Sequence, residues 1–162
     1  MIISENYKQR LLTLSGLISE NIKLTSISGR SDKGTLSWYV EEYILNLSSD
    51  IINNLDKQIE IEPGLDLFLV KNASNISSNS LTTKLITKGK LDNIDTEEEY
   101  ILSTMVNFET SSNTTVSISN KGINNNFTLS SKHSVTDLET FKSNIVNYFM
   151  NSIKLNNTIK KD

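Results

Sequence analysis

The chain has 162 residues, 36% of them hydrophobic, which suits one domain with a single modest core. Its formal net charge of −3 gives no support to nucleic-acid binding, because that affinity comes mainly from clustered Lys and Arg. The absence of cysteine excludes disulfides, thiolate metal sites and cysteine nucleophiles. No apolar run approaches the roughly 18 residues of a membrane span, and Glu5, Lys8 and Arg10 make the first residues a poor secretory signal.

Two amphipathic helices are predicted at the start of the chain. Over residues 4–24, apolar side chains recur every three to four positions, at Tyr7, Leu11, Leu14, Ile18 and Ile22. Residues 25–34 contain two glycines among polar residues and predict a loop. A second helix is predicted over residues 35–55, with the apolar stripe Leu36, Tyr39, Val40, Tyr43, Ile44, Leu47, Ile51 and Leu55.

Beyond Asp56 the apolar period changes from 3.6 to 2, which predicts strands. The first would place Glu60, Glu62 and Asp66 on the face opposite Ile59, Ile61, Leu65, Leu67 and Leu69. A polar loop is predicted over residues 71–80. Two further strands, over residues 81–91 and 100–109, would be separated by an acidic turn over residues 92–99.

A β-hairpin is predicted where the stretch TTVSISNKGINNNFTLSS alternates apolar and polar residues around an Asn-Lys-Gly turn. Its core face would be formed by Val116, Ile118, Phe127 and Leu129. Its other positions are nearly all Ser, Thr and Asn. Because few charged or proline residues protect it, its edge is a candidate for pairing with a partner chain, through Thr114, Ser117, Ser119, Asn124, Asn126 and Thr128.

A last helix is predicted from the sequence TDLE at residues 136–139, which matches a capping box. Its apolar face would be Leu138, Phe141, Ile145, Phe149 and Ile153. The order of elements predicts one α+β domain over residues 1–162, in which two N-terminal helices precede a mostly antiparallel sheet of four or five strands. The C-terminal helix would pack on one face of that sheet.

Three groups of residues were weighed as sites of chemistry. His133, the only histidine, could join Ser131 or Ser134 with Asp137, but no nucleophile elbow or oxyanion-type glycine loop accompanies them. The acidic residues Asp92, Asp95, Glu97, Glu98 and Glu99 lack the glycine and spacing of a calcium loop. We interpret both as solvated surface.

The third group is Glu60, Glu62 and Asp66, which on one strand could hold the cation of a metal-dependent nuclease. No carboxylate–x–Lys unit accompanies them. The interpretation that we favour is a solvent-facing strand whose carboxylates oppose Lys84 and Lys88. The sequence therefore predicts no catalytic residue, no metal ligand and no cofactor.

The function expected from the sequence is a non-enzymatic interaction or assembly subunit, whose partners are copies of itself or other subunits. The chain is rich in Asn, Ile and Lys, which is typical of proteins encoded by an AT-rich genome. This composition favours a phage, another virus or an AT-rich bacterium as the source. A phage neck or tail-ring subunit fits this profile by analogy alone. The alternatives are a small acidic regulatory, inhibitory or chaperone-like binder and the nuclease. We expect a soluble protein, in the virion or host cytoplasm if viral and otherwise cytoplasmic.

Overall fold

The computed structural model describes residues 29–73, 76–77, 79–91, 93–107 and 113–157. Within them the chain forms helix α1 (Leu36–Ile61), strands β1 (Leu67–Ala73), β2 (Ser80–Leu91), β3 (Ile94–Asn107), β4 (Asn113–Asn120) and β5 (Ile123–Leu129), and helix α2 (Val135–Asn156). The strands form one antiparallel sheet in the order β1-β2-β3-β4-β5. The α+β class is confirmed. The helix predicted over residues 4–24 lies outside the described residues.

Both described helices pack on the same face of the sheet. Alternate residues of the strands point to this inner face, and their apolar side chains bury against the apolar stripes of α1 and α2. Helix α1 lies over β1, β2 and β3, and α2 lies over β5. The centre of the core includes Ile51, Leu55, Leu85, Tyr100, Leu102, Val116, Ile145 and Phe149.

Helix α1 is longer than the pattern predicted, since it continues beyond Leu55 to Ile61. Ile59 lies one turn after Leu55 and is fully buried, so it extends the helical stripe. The alternation of the sequence QIEIE also fits a strand, and this ambiguity led to the wrong prediction. The helix ends at Ile61, and the chain turns at Pro63-Gly64, where Gly64 has a φ of 79°.

Of the acidic turn predicted over residues 92–99, residues 94–99 form a strand and Asn93, with a φ of 65°, lies in a tight turn. Asp92 lies outside the described residues. β3 begins at Ile94 and pairs with β2 over its whole length. On the outer face, Lys88 and Lys90 of β2 lie opposite Glu97 and Asp95 of β3, at 3.8 and 3.2 Å. Lys84 pairs diagonally with Glu99, at 3.5 Å. In these exposed pairs, the positive charges of the lysines offset the negative charges of the acidic residues of β3.

The loop predicted over residues 71–80 is also partly strand, because β1 continues to Ala73. Lys71 points to the inner face, where its Nζ lies 2.7 Å from Asp56 Oδ2 on α1. The first residue of the predicted polar loop, Lys71, therefore lies in the last part of β1 and forms an ion pair at the edge of the core.

The capping box of α2 lies two residues before the predicted one. Ser134 accepts a hydrogen bond from the backbone N–H of Asp137, whose carboxylate accepts one from the backbone N–H of Ser134, both at 3.1 Å. The helix therefore begins at Val135 and not after Thr136. Neither of the two described helices has the length and apolar character that a membrane crossing requires.

Candidate functional site

The predicted hairpin is confirmed, and it supplies one edge of the sheet. β4 is an inner strand, and no strand in the described part of the chain pairs with the far side of β5. Ser117 lies opposite Asn126, and Ser119 lies opposite Asn124, on the outer face that carries neither described helix. The Ser117 hydroxyl donates to Asn126 Oδ1 at 2.7 Å. Thr128 is exposed on the same face.

Thr114 does not belong to this polar face, although the sequence analysis included it. It has the same parity as Val116 and Ile118, so it points into the core and is only 6% exposed. Its hydroxyl lies 3.2 Å from the hydroxyl of Tyr43 on α1. The structure therefore brings five of the six predicted residues together on the outer face and places the sixth under the sheet.

The two edges of the sheet differ in charge. β5 contains no charged residue and no proline, whereas β1 carries Lys71, which points inward and pairs with Asp56. Inward-pointing charges are one of the features by which natural sheets discourage pairing at an edge. The described features therefore protect the β1 edge better than the β5 edge.

Helix α2 extends the uncharged surface beside β5. The ring of Tyr148 stacks edge-on against Phe127 at 5.6 Å, and its hydroxyl accepts a hydrogen bond from Asn125. Asn144 and Asn151 lie one turn on either side of Tyr148 and are exposed. Between residues 140 and 153 every exposed side chain of α2 is uncharged: Thr140, Ser143, Asn144, Asn147 and Asn151.

This helix flank was missed from the sequence, although a signal for it exists. The spacing of Asn144, Asn147 and Asn151 predicts one polar face of a helix, and no Lys or Glu interrupts it. What the sequence does not contain is the packing of Tyr148 on β5, which sets this face beside the open strand edge. We call β5 and this α2 flank together the uncharged edge surface.

The carboxylates proposed as metal ligands do not form a site. Glu60 lies within α1, Glu62 is its C-terminal cap and Asp66 precedes β1, so the predicted three-residue strand face does not exist. Glu62 pairs with Lys154 of α2 at 3.0 Å. They also do not oppose Lys84 and Lys88, which face Glu99 and Glu97. Among the described residues no three carboxylate, histidine or cysteine side chains converge as metal ligands would.

His133 lies in the loop between β5 and α2, with a structural hydrogen bond. Its Nδ1 donates to the carbonyl of Ser130 at 2.7 Å, because a carbonyl oxygen only accepts. Ser134 and Asp137, which the sequence offered beside His133 as one possible group, hydrogen-bond to the backbone at the start of α2. His133, Ser134 and Asp137 therefore each make a structural contact, and these contacts do not bring the three side chains into a catalytic arrangement.

The acidic residues of β3 meet the end of the hairpin in a polar network. β4 stops at Asn120 while β3 continues to Ile94, and Asn120 Nδ2 donates to Glu98 Oε1 at 2.9 Å. Lys121 Nζ lies 3.4 Å from the same oxygen. Asn156 of α2 donates to Asn120 Oδ1 at 3.1 Å and so ties the helix end to the turn.

Two buried ionisable groups have shifted pKa values. Burial raises the pKa of Tyr100 to about 12; the hydrogen bond from Asn156 acts the other way. Burial also acts to raise the pKa of Glu41, but hydrogen bonds from Ser31 and Arg30 prevail and hold it below its usual range. Glu41 accepts from the Ser31 backbone at 2.8 Å and from Arg30 Nε at 3.1 Å. Both shifts arise from structural contacts.

Comparison with known proteins identifies no relative, since no family model, no curated protein and no solved structure matches this chain. The function is therefore inferred from the geometry of the chain itself.

Proposed function

We propose that this protein is a non-enzymatic protein-interaction or assembly subunit, and that its partner binds along β5. The observation that carries the proposal is the contrast between the two sheet edges. β5 has neither charge nor proline along its seven residues, and β1 has the inward Lys71–Asp56 pair. An uncharged strand edge presents backbone N–H and C=O groups to which an extended partner segment adds by main-chain hydrogen bonds.

Coding bias alone does not account for this surface. An AT-rich genome favours Lys as well as Asn, and the chain does use Lys freely on the outer face of β2, at Lys84, Lys88 and Lys90. β5 uses Asn at three consecutive positions and no Lys. The distribution of the two residue types therefore follows the surface on which they lie and supports an edge kept free of charge.

The same surface is compatible with the alternative, a small acidic regulatory or chaperone-like binder that captures a single partner. Light scattering coupled to size-exclusion chromatography separates the two on the full chain. Self-association that grows with concentration, to a closed dimer or to rings or polymers, supports an assembly subunit. A stable small species that recruits one partner in a fixed ratio supports the binder. The finer hypothesis of a phage neck or tail-ring subunit stays a prediction by analogy.

The experiment that tests the proposal places lysine on the outer face of the edge strand, in the variant Asn124→Lys/Asn126→Lys. Lysine on an edge strand opposes strand addition, because the partner would have to bury or displace the charge. The matched control is Asn72→Lys, which makes the same change at an exposed, outward-facing position on β1.

We expect the double variant to lose at least tenfold in affinity for whatever subunit or copy the full chain binds, and Asn72→Lys to bind normally. Circular dichroism and thermal unfolding verify that both variants are folded. If the double variant, once shown to be folded, keeps its full affinity while Asn72→Lys loses it, the binding edge is β1 and the proposal is wrong.

A further inference from the structure

We infer that the occupant of the uncharged edge surface is a second copy of this chain, whose β5 pairs antiparallel with the first across a two-fold axis. The two five-stranded sheets then form one sheet of ten strands. This inference rests on the proposed function, because it names the partner that binds the β5 edge.

An antiparallel strand pair with two-fold symmetry needs only one sequence, since residue i of one copy meets residue j of the other while residue j of the first meets residue i. A register centred on Asn126 pairs all seven residues of β5, so that Ile123 lies opposite Leu129 and Asn124 opposite Thr128 of the second copy. This register also keeps outward-facing side chains opposite outward-facing ones, as the pleat requires. It gives the longest ladder of main-chain hydrogen bonds that β5 can form with itself.

Charge distinguishes a second copy from an unlike partner. Near a two-fold axis every charged side chain meets its own copy, and like charges directly opposite each other destabilise a strand pair. An unlike partner has no such constraint and can offer the opposite charge. A strand edge without charge avoids like charges at the axis in every register, and β5 carries no charge along its whole length.

Helix α2 meets the same condition. Because Tyr148 packs on Phe127 and Asn125, the middle of α2 lies over β5, near the proposed axis. Two copies of α2 would therefore flank each other across the junction of the two sheets. Their exposed side chains between residues 140 and 153 are all uncharged, whereas Glu139 and Lys154 lie at the ends of the helix, away from the axis.

The first test is the mass of the full chain as a function of concentration, measured by light scattering after size-exclusion chromatography. We expect the mass to rise from one copy to two copies and to stop there, because the two-fold contact closes. Asn126→Lys places two ammonium groups at the axis and should raise the dimer dissociation constant at least tenfold. Asn72→Lys should leave it unchanged. A monomer at all concentrations, or a dimer that Asn126→Lys does not weaken, would overturn the inference.

The second test uses the absence of native cysteine in the chain. In the register centred on Asn126, a mixture of the variants Asn124→Cys and Thr128→Cys should form disulfide-linked heterodimers, because these positions lie opposite each other. Each variant alone should cross-link several times less, since its own cysteines would lie four residues out of register. Equal cross-linking in the mixture and in the separate variants, or preferential linking of Asn72→Cys, would contradict the pairing.

The two tests also separate this inference from the proposed function. A chain that stays monomeric but binds a different subunit, and loses it in Asn124→Lys/Asn126→Lys, retains the proposed function and overturns the second copy. A chain that dimerises through another surface, unaffected by any β5 variant, overturns both. Mass, cross-linking and the β5 variants together therefore decide which statement fails.

Discussion

Lys71 Nζ lies 2.7 Å from Asp56 Oδ2, beneath the first strand of the sheet, with each side chain 13% exposed. A pair of charges this well covered loses most of its hydration, and the attraction between its members offsets that loss. The pair joins β1 to α1 and keeps an inward charge at one edge of the sheet. The other edge, β5, has no such pair among the described residues, and this asymmetry underlies the proposals made above.

The first prediction concerns this ion pair. Asp56→Asn removes the charge that balances Lys71 without changing the size of the side chain, so we expect the free energy of unfolding to fall by about 1–3 kcal/mol. The matched control is Asp95→Asn in the exposed Lys90–Asp95 pair, which should cost less than about 0.5 kcal/mol. Urea denaturation of both variants measures the difference. Equal losses would show that Lys71 and Asp56 contribute no more than a surface pair.

The second prediction concerns the start of α2. Ser134→Ala removes the side chain that accepts from the Asp137 N–H and should cost about 1 kcal/mol. Thr136→Ala, at the position that the sequence pattern favoured, should change stability by less than about 0.5 kcal/mol because Thr136 is exposed within the first turn. Thermal or urea unfolding of the two variants checks the assignment. A larger loss from Thr136→Ala would place the cap where the sequence predicted it.

The third prediction concerns pH and Glu41. Because the folded-state pKa of Glu41 lies below its ordinary value of 4.5, ionised Glu41 stabilises the fold above about pH 4.5. This contribution is lost as the pH falls through the lower folded-state pKa. We therefore expect Glu41→Gln to be less stable than the wild type at pH 6, and the difference to shrink at pH 3. Urea denaturation at the two pH values measures both differences.

The control for Glu41 is Glu42→Gln. Glu42 also pairs with Arg30, at 2.7 Å, but its side chain is 27% exposed, whereas Glu41 is fully buried. We expect the effect of Glu42→Gln at pH 6 to be the smaller of the two, because solvent screens its pair. A difference between wild type and Glu41→Gln that grows on acidification would contradict the assigned direction of the pKa shift.

The fourth prediction concerns Gly89, where the end of β2 passes close to the start of β1. A Cβ atom at this position would lie 2.0 Å from the Asp66 carbonyl oxygen and 2.8 Å from Leu67 Cδ2, so the backbone would have to move. We expect Gly89→Ala to reduce the free energy of unfolding by about 1–3 kcal/mol. Lys90→Ala, at the next and exposed position of the strand, should be nearly neutral. Urea denaturation of the two variants tests whether this close approach is present.

Much of the fold was predictable because the spacing of apolar residues along the chain indicates which side of a helix or strand is buried. The stripes at Ile44, Ile51 and Leu55 and at Phe141, Ile145 and Phe149 predicted two helices that the structure contains. The alternation around Val116 and Phe127 predicted the hairpin. Such patterns are local, since each residue has only to fit its own element.

The secondary structure was predicted wrongly where a segment fits both the helical and the strand period, and where a turn is short. Ile59 fits both the stripe of a helix and the alternation of a strand, and its burial against the core decided for the helix, which leaves Ile61 exposed. Residues 94–99 lack an apolar alternation, and they form a strand that pairs with β2, where lysines lie opposite the acidic side chains. Cross-strand neighbours of this kind come from distant positions in the chain, so no local pattern contains them.

By itself, the sequence determined the α+β class, the uncharged character of residues 123–129 and the absence of cysteine chemistry, because these depend on composition and on short repeats. Only the tertiary structure decided that β5 is an edge strand, that Thr114 points inward, and that Tyr148 sets the uncharged flank of α2 beside β5. Strand order and helix docking depend on contacts between residues far apart in the chain. The structure also places Glu60 within helix α1 and Asp66 just before β1, so they do not share a strand face.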